Sequence, residues 1–182
     1  MQLQFNFEDI NVEEELIPVI LNEMPIEGYS ISKSGEVYSH WKQTRKLNAS
    51  NGFDLCCDLN YKKLLKPRII KKYLYVDISF DEGTFEYQYR NKHGSLRQSI
   101  TCSLHKLVMD SWKPFDEYLP SEIDATDYNN SPESIQNILK QLFIINHIDH
   151  DKFNNHIDNL ERVTHKQNSR CAKQHYSNVS KE

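Results

Sequence analysis

The hydrophobic period of this chain changes at Ser103, and that change limits the possible folds more than any other feature. Before it, "KYLYVDISF" (72–80) places Leu74, Val76, Ile78 and Phe80 on one side, with polar or tyrosine positions between them. That is the two-residue period of a half-buried strand. "TFEYQYR" (84–90) alternates again through Phe85, Tyr87 and Tyr89, and "SLRQSITC" (95–102) makes a weaker third strand. With "DEG" and "NKHG" as turns, the segment reads as an antiparallel meander. After Ser103 the spacing of Leu104, Leu107, Val108 and Trp112 is helical, with Ser103 as N-cap and Pro114 as stop. Strands followed by helices imply an α+β chain.

The rest of the chain extends that pattern. Residues 1–24 read as an acidic leader in which "LIPVIL" is a local packing element. "YSISKSGEVYS" (29–39) reads as strand, turn and strand, because Gly35 tolerates the positive φ of a tight reversal. Residues 40–70 show little periodicity and are expected to form a long basic loop, and 115–130 an acidic one. "SPESIQNILKQLF" (131–143) predicts a second helix, capped by Ser131 and Pro132 and burying Ile135, Ile138, Leu139 and Leu142. A β-β-α unit follows: a strand in "FIINHI", a polar loop, a strand in "LERVT", and a helix from about Thr164 to His175. The expected division is a leader (1–24), a β-rich module (25–102), a second domain (103–176) and a tail (177–182).

Composition narrows the class. No stretch approaches the roughly 18 apolar residues of a membrane span, and the N-terminus lacks the basic start and apolar run of a signal peptide. A soluble, intracellular protein with no membrane partner is expected. The four cysteines form no CxxC pair, so reduced thiols are expected rather than a disulfide framework. Net charge is −4, but residues 1–27 hold seven acids and no Lys or Arg, whereas 28–112 hold fourteen basic against eight acidic residues. Local fields steer a polyanion, so this basic middle matters more than the total. Within "YKKLLKPRIIKKY" (61–73), Lys62, Lys63, Lys66, Arg68, Lys71 and Lys72 are candidate phosphate contacts on a nucleic acid.

The chemistry concentrates in "INHIDHDKFNNHIDNLERVTHKQN" (145–168), which holds four of the eight histidines and five asparagines. Phosphodiester hydrolysis needs a base for the attacking water, a cation to stabilise charge on phosphorus and the leaving oxygen, and a frame for both. Histidine is the natural base near neutral pH, and amide carbonyls suit Mg²⁺. His147 ends the first strand, Asn159 closes the polar loop, and Asn168 lies about one turn into the last helix, so strand and helix can converge on one ion and one phosphate.

The same residues resemble the HNH endonuclease motif of homing endonucleases from mobile introns and their phage-encoded relatives. "NHID" (146–149), "NN" (154–155) and "NLERVTHKQN" (159–168), with the spacing His-x11-Asn-x8-Asn, carry the resemblance. "LHKLVMDSWKP" (104–114) is similar to the helix that precedes this motif, and "IEGYSISKSGEVYS" (26–39) to the small DNA-binding module placed N-terminal to it. The resemblance implies an antiparallel, β-rich, DNA-binding N-terminal module followed by a ββα-metal nuclease domain. It further implies metal-dependent hydrolysis of DNA. His147 would be the general base, Asn168 and Asn146 metal ligands, and Asn159 the residue that cross-links the loop and aims His147. One Mg²⁺ or Mn²⁺ per active site is implied, with no small-molecule cofactor.

The sequence departs from the family pattern at three places. Asn146 stands where many relatives carry Asp, His150 stands where they commonly carry Gly, and the acidic segment 115–145 is longer than usual. A DNA-binding protein with a degenerate site is therefore the competing expectation. A zinc site built from His147, His150, His156 and His165 is a third. His105 reads as a hydrogen-bonded support, and Asn154 and Asn155 as loop formers. Oligomeric state is not readable from the sequence.

Overall fold

The structure is a computed structural model in which residues 14–45, 53–80 and 98–171 are described. It is α+β with antiparallel sheets throughout. "LIPVIL" is not a local element: it forms strand β1 (Leu16–Leu21), which pairs with β2 (Met24–Ser32) through a two-residue turn. The pairing register shifts between Pro18 and Ile20, as expected where proline removes a ladder donor. The Ile20 amide donates instead to Ser111 Oγ at 2.9 Å. Gly35, at φ +90, turns β2 into β3 (Val37–Ser39) as the sequence implies.

Residues 40–70 are corrected from a loop to a series of short strands. β4 (Trp41–Arg45) and β5 (Phe53–Cys57) form a hairpin, β6 (Lys63–Leu64) joins the first sheet in the order β1-β2-β3-β6, and β7 (Arg68–Ile70) pairs with β8 (Tyr73–Phe80). β6 and most of β7 are exposed, so neither needs an apolar face and neither shows the alternation that reveals a strand. β8 pairs on its other edge with β9 (Gln98–Ser103), completing a three-stranded sheet. The strand expected over 84–90 lies outside the described residues.

Helix α1 (Leu104–Trp112) starts and stops where the sequence places it, although the Ser103 side chain makes no capping hydrogen bond. Three expectations beyond it fail. The acidic segment contains helix α2 (Ala125–Asn130), capped by Asp124, whose carboxylate accepts from the amides of Thr126 and Asp127; its Tyr128 is buried. A six-residue helix is too short for a periodic signature. Ser131 then closes α2, and Pro132 is the N-cap of α3 (Glu133–Leu142). The apolar stripe of α3 is not buried either: Ile135, Ile138 and Leu142 are 43%, 53% and 52% exposed. Strand β10 (Phe143–His147) pairs with β11 (Leu160–Thr164), and residues 165–171, termed α4, continue as helix. Among the described residues no helix is long and apolar enough to cross a membrane.

One hydrophobic cluster joins these pieces. Val19 and Ile31 from the first sheet, Ile78 from the second, Leu107 and Val108 from α1, and Leu160 from β11 all belong to it. Residues on either side of positions 24 and 102 therefore share a core. Leu107→Ala and Ile31→Ala are each expected to cost about 2–5 kcal/mol in urea unfolding, each within a single transition observed by both tryptophan fluorescence and circular dichroism. Separate transitions for the two halves would show two independent cores.

Candidate active site

Strand register sets the site. His147 pairs with Leu160, and Asn146 with Glu161. Directly paired residues share a face, and successive residues alternate. Leu160 is in the core, so His147 sits on the core side and is only 5% exposed. β11 is tied to the end of α1 on this side, where Arg162 donates to the Lys113 carbonyl at 2.6 Å and pairs with Asp110 at 3.4 Å.

The polar loop is closed by Asn159. Its Oδ1 accepts from the Asp149 amide at 3.0 Å, and its Nδ2 donates to Asp149 Oδ1 at 2.9 Å and to the Asn154 carbonyl at 2.8 Å. Its own carbonyl accepts from the Ile148 amide at 2.9 Å, immediately after His147. Donation from Asn154 first, and from Asn159 next, holds the Asp149 carboxyl below its ordinary range. His150 has φ +64, a left-handed conformation that glycine adopts at no steric cost. The chain keeps a side chain there, and the His150 amide bonds back to the His147 carbonyl at 3.1 Å.

Three side chains surround His147: those of His105 and Tyr73 from outside the motif, and that of Asn155 from within it. The His105 ring of α1 lies edge-on to it with centroids 5.4 Å apart, and the Tyr73 ring is 6.2 Å from His147 and 5.1 Å from His105. Lys152 Nζ stands 4.3 Å above the Tyr73 ring. Burial, reinforced by the positive field of His147, Lys106 and Lys152, pushes His105 down to about 4, so it is neutral at physiological pH. The expectation of a hydrogen-bonded support does not hold for its Nδ1, which is buried without a partner. The third is Asn155, read from sequence as a loop former; it is buried, with Oδ1 3.3 Å from His147 Nε2.

The basic candidates are all exposed, but they are not equivalent. Arg68 is committed to Asp77 Oδ1 and Thr101 Oγ1, each at 2.8 Å. Lys71 and Lys72 form the two-residue turn between Ile70 and Tyr73, whose ring lies near His105 and His147. Lys62, Lys63 and Lys66 precede that strand, on and around β6.

The donor chemistry suits a hard cation. Asn146 Nδ2 donates to Glu161 Oε1 at 2.9 Å. A carboxylate is an acceptor, so this contact fixes the amide orientation and leaves Asn146 Oδ1 uncommitted. Asn168 is half-buried on α4, and Glu161 places a negative charge behind the Asn146 amide. Oxygen donors of this kind match Mg²⁺ or Mn²⁺. Among the described residues no group of three or more His, Cys, Asp or Glu is gathered to hold a metal. His156, one member of the expected zinc set, accepts from the Asp158 amide at the start of a 3-10 turn.

Residues 139–170, which run from the end of α3 through the hairpin and loop into α4, match the family described as HNH endonuclease. The unit built around His147 is therefore the part of the chain that is similar to HNH endonucleases. A solved structure concerned with DNA binding and cleavage by the HNH homing endonuclease I-HmuI is similar to this chain. The identity is 20% and the TM-score 0.44, over 88% of this chain and 59% of that one. The chain thus spans less than two thirds of that protein. No curated protein matches the chain.

Sequence reading gave Asn155 only a loop-forming role and missed Glu161, Tyr73 and Lys152, because each makes its contact by pairing or packing rather than by motif spacing. The alternation around Asn146 and the pairing implied by the hairpin point toward Glu161; no comparable signal marks Tyr73. Lys71 and Lys72 have φ +49 and +70, values that favour Asn-Gly in such a turn. Lys71→Asn with Lys72→Gly is therefore expected to stabilise the fold by about 1–2 kcal/mol, seen as a raised urea midpoint with unchanged slope.

Proposed function

We propose that this chain is a divalent-metal-dependent DNA endonuclease that hydrolyses phosphodiester bonds, resembling homing endonucleases of the HNH class. The observation that carries this reading is His147, held at the core-side end of β10 above a loop locked by Asn159, within the span that matches HNH endonucleases. His147 acts as general base, taking a proton from the water that attacks phosphorus. Asn159 keeps it aimed by fixing Ile148 and Asp149, the two residues that follow it. Oδ1 of Asn146 and the side-chain oxygen of Asn168 would hold one Mg²⁺ or Mn²⁺. When bound, such an ion supplies Lewis-acid neutralisation of the charge developing on the phosphate and leaving oxygen.

Double-stranded DNA is the partner in this reading. The Lys71–Lys72 tip, with Lys152 near it, takes phosphates next to the reacting bond, and Lys62, Lys63 and Lys66 take phosphates further along. Arg68, already paired with Asp77, contributes less. A second reading, a DNA-binding protein with an inactive site, draws on the neutral amide at position 146.

The deciding experiment is nicking of supercoiled plasmid with Mg²⁺, Mn²⁺ or EDTA, for the intact protein and for His147→Ala. Metal-dependent cleavage that disappears in the variant while DNA retardation persists is the expected result. A folded protein that retards DNA carrying its natural target and never cuts it would establish the binding-only reading. Replacing Lys71–Lys72 with Asn-Gly is expected to weaken DNA binding and flatten its dependence on log salt by roughly 0.9 for each phosphate that is no longer neutralised. An unchanged slope would remove the tip from the DNA interface.

A further inference from the structure

The buried Asn155 side chain has one hydrogen bond to the loop and one to the histidine, and together they settle which nitrogen of His147 is basic. Asn155 is 3% exposed. Its Nδ2 donates to the Phe153 carbonyl at 3.0 Å, and a carbonyl can only accept. The amide therefore cannot be turned over without opposing two oxygens, and its Oδ1 is the atom 3.3 Å from His147 Nε2. An amide oxygen is likewise only an acceptor, so the ring nitrogen facing it must carry the proton. The proton on a neutral imidazole resides on one nitrogen, and the other then holds the lone pair.

Asn155 is itself clamped from the N-terminal half. Gly35, at the β2–β3 turn, lies so close that a Cβ built on it would be 3.3 Å from Asn155 Cβ, 3.3 Å from Val108 Cγ2 and 3.6 Å from the Asn155 carbonyl oxygen. Two residues from Asn155, the Ile157 amide donates to the Lys33 carbonyl of the same turn at 2.8 Å. The "SKSG" segment, read from sequence as part of a DNA-binding module, is thus packed under the loop that carries Asn155.

We propose that Asn155 is a positioning residue that holds His147 as its Nε2–H tautomer with Nδ1 as the basic atom, and that the Lys33–Gly35 turn holds Asn155 in place. The inference deepens the endonuclease reading and rests on it for the role of His147, but the tautomer can be measured without any cleavage.

Nitrogen-15 NMR of the His147 ring in the full-length protein, with that ring neutral, is the test. Wild-type protein is expected to show a pyrrole-like Nε2 with an exchange-protected Hε2, and a pyridine-like Nδ1. The reverse pattern, or averaged nitrogens, overturns the proposal even if the enzyme cuts DNA. Asn155→Ala is expected to lose Hε2 to exchange and to lower kcat for nicking by roughly 10- to 100-fold, the scale of removing an outer-shell partner, with KM for DNA unchanged. Asn155→Asp keeps an acceptor for Nε2–H and gives up the bond to Phe153. It is expected to retain Hε2 and most of kcat. If Asn155 served only the loop, Asp would behave no better than Ala, and the proposal would fail. Should Asn155→Ala not fold, the wild-type and Asp spectra decide alone. An inactive wild type with the expected spectrum would sink the endonuclease reading and leave the tautomer assignment standing.

Discussion

The burial of one short helix holds this structure together. Leu104, Leu107, Val108 and Met109 of α1 are all buried, and the helix touches β1, β2, β8, β9, β10 and β11. Each fully buried side chain of this kind is worth about 1.5–3 kcal/mol, and α1 touches strands of the four-stranded sheet, the three-stranded sheet and the β10–β11 hairpin alike. Two polar contacts fix its direction. Ser111 accepts the Ile20 amide freed where Pro18 interrupts the β1–β2 ladder, and Arg162 of β11 donates to the carbonyl of Lys113 at the helix end. Because α1 carries His105 and packs on β10, the same contacts that stabilise the chain also set the distance between the His105 and His147 rings.

Legibility followed burial. The alternation in β8 could be read because Val76 and Ile78 are sequestered on one face, and the helical spacing of α1 because its stripe faces the core. β6 and β7 bury almost nothing, so they left no mark in the sequence and were read as loop. α3 shows the converse. Its apolar spacing identified a helix, but spacing reports a stripe and not what lies against it, and Ile135, Ile138 and Leu142 are exposed. Within the site, His147 and Asn159 stood out by spacing. Asn155 and Glu161 act through a cross-loop bond and a cross-strand bond, which no one-dimensional pattern encodes.

Backbone strain is distributed unevenly. Among the described residues, five other than glycine have positive φ: Asn22, Glu23, Lys71, Lys72 and His150. Lys71 and Lys72 directly precede Tyr73, and the His150 amide bonds to the His147 carbonyl. Conformations of this kind cost about 1–3 kcal/mol each, and asparagine or glycine would relieve the cost. That lysines occupy the turn before Tyr73, and a histidine the turn after His147, fits side chains retained for what they contact. The Asn22–Glu23 turn lies in the β1–β2 hairpin and has the milder form of the problem, since asparagine tolerates this region.

The charge arrangement around Asn146 has a consequence for how the proposed cation would be held. An amide oxygen supplies a dipole but no net charge. The nearest charge is the Glu161 carboxylate, which faces the nitrogen side of the same amide and so acts at one remove. Lys152 meanwhile lies over the Tyr73 ring, and Lys71 and Lys72 directly precede that residue; positive charge there would repel a cation and attract a polyanion. Under the proposed function, free protein would therefore hold a divalent ion weakly, and phosphates of bound DNA would supply the missing negative charge. Cation and DNA would then favour each other's binding, and linkage would make the enhancement equal in both directions. A carboxylate at position 146 would strengthen the ion on its own and weaken that coupling. It would also stand directly opposite Glu161 on the neighbouring strand, where like charges repel. The pairing of an amide with a carboxylate is thus the arrangement in which the charge at 161 can be kept without a like charge opposite it.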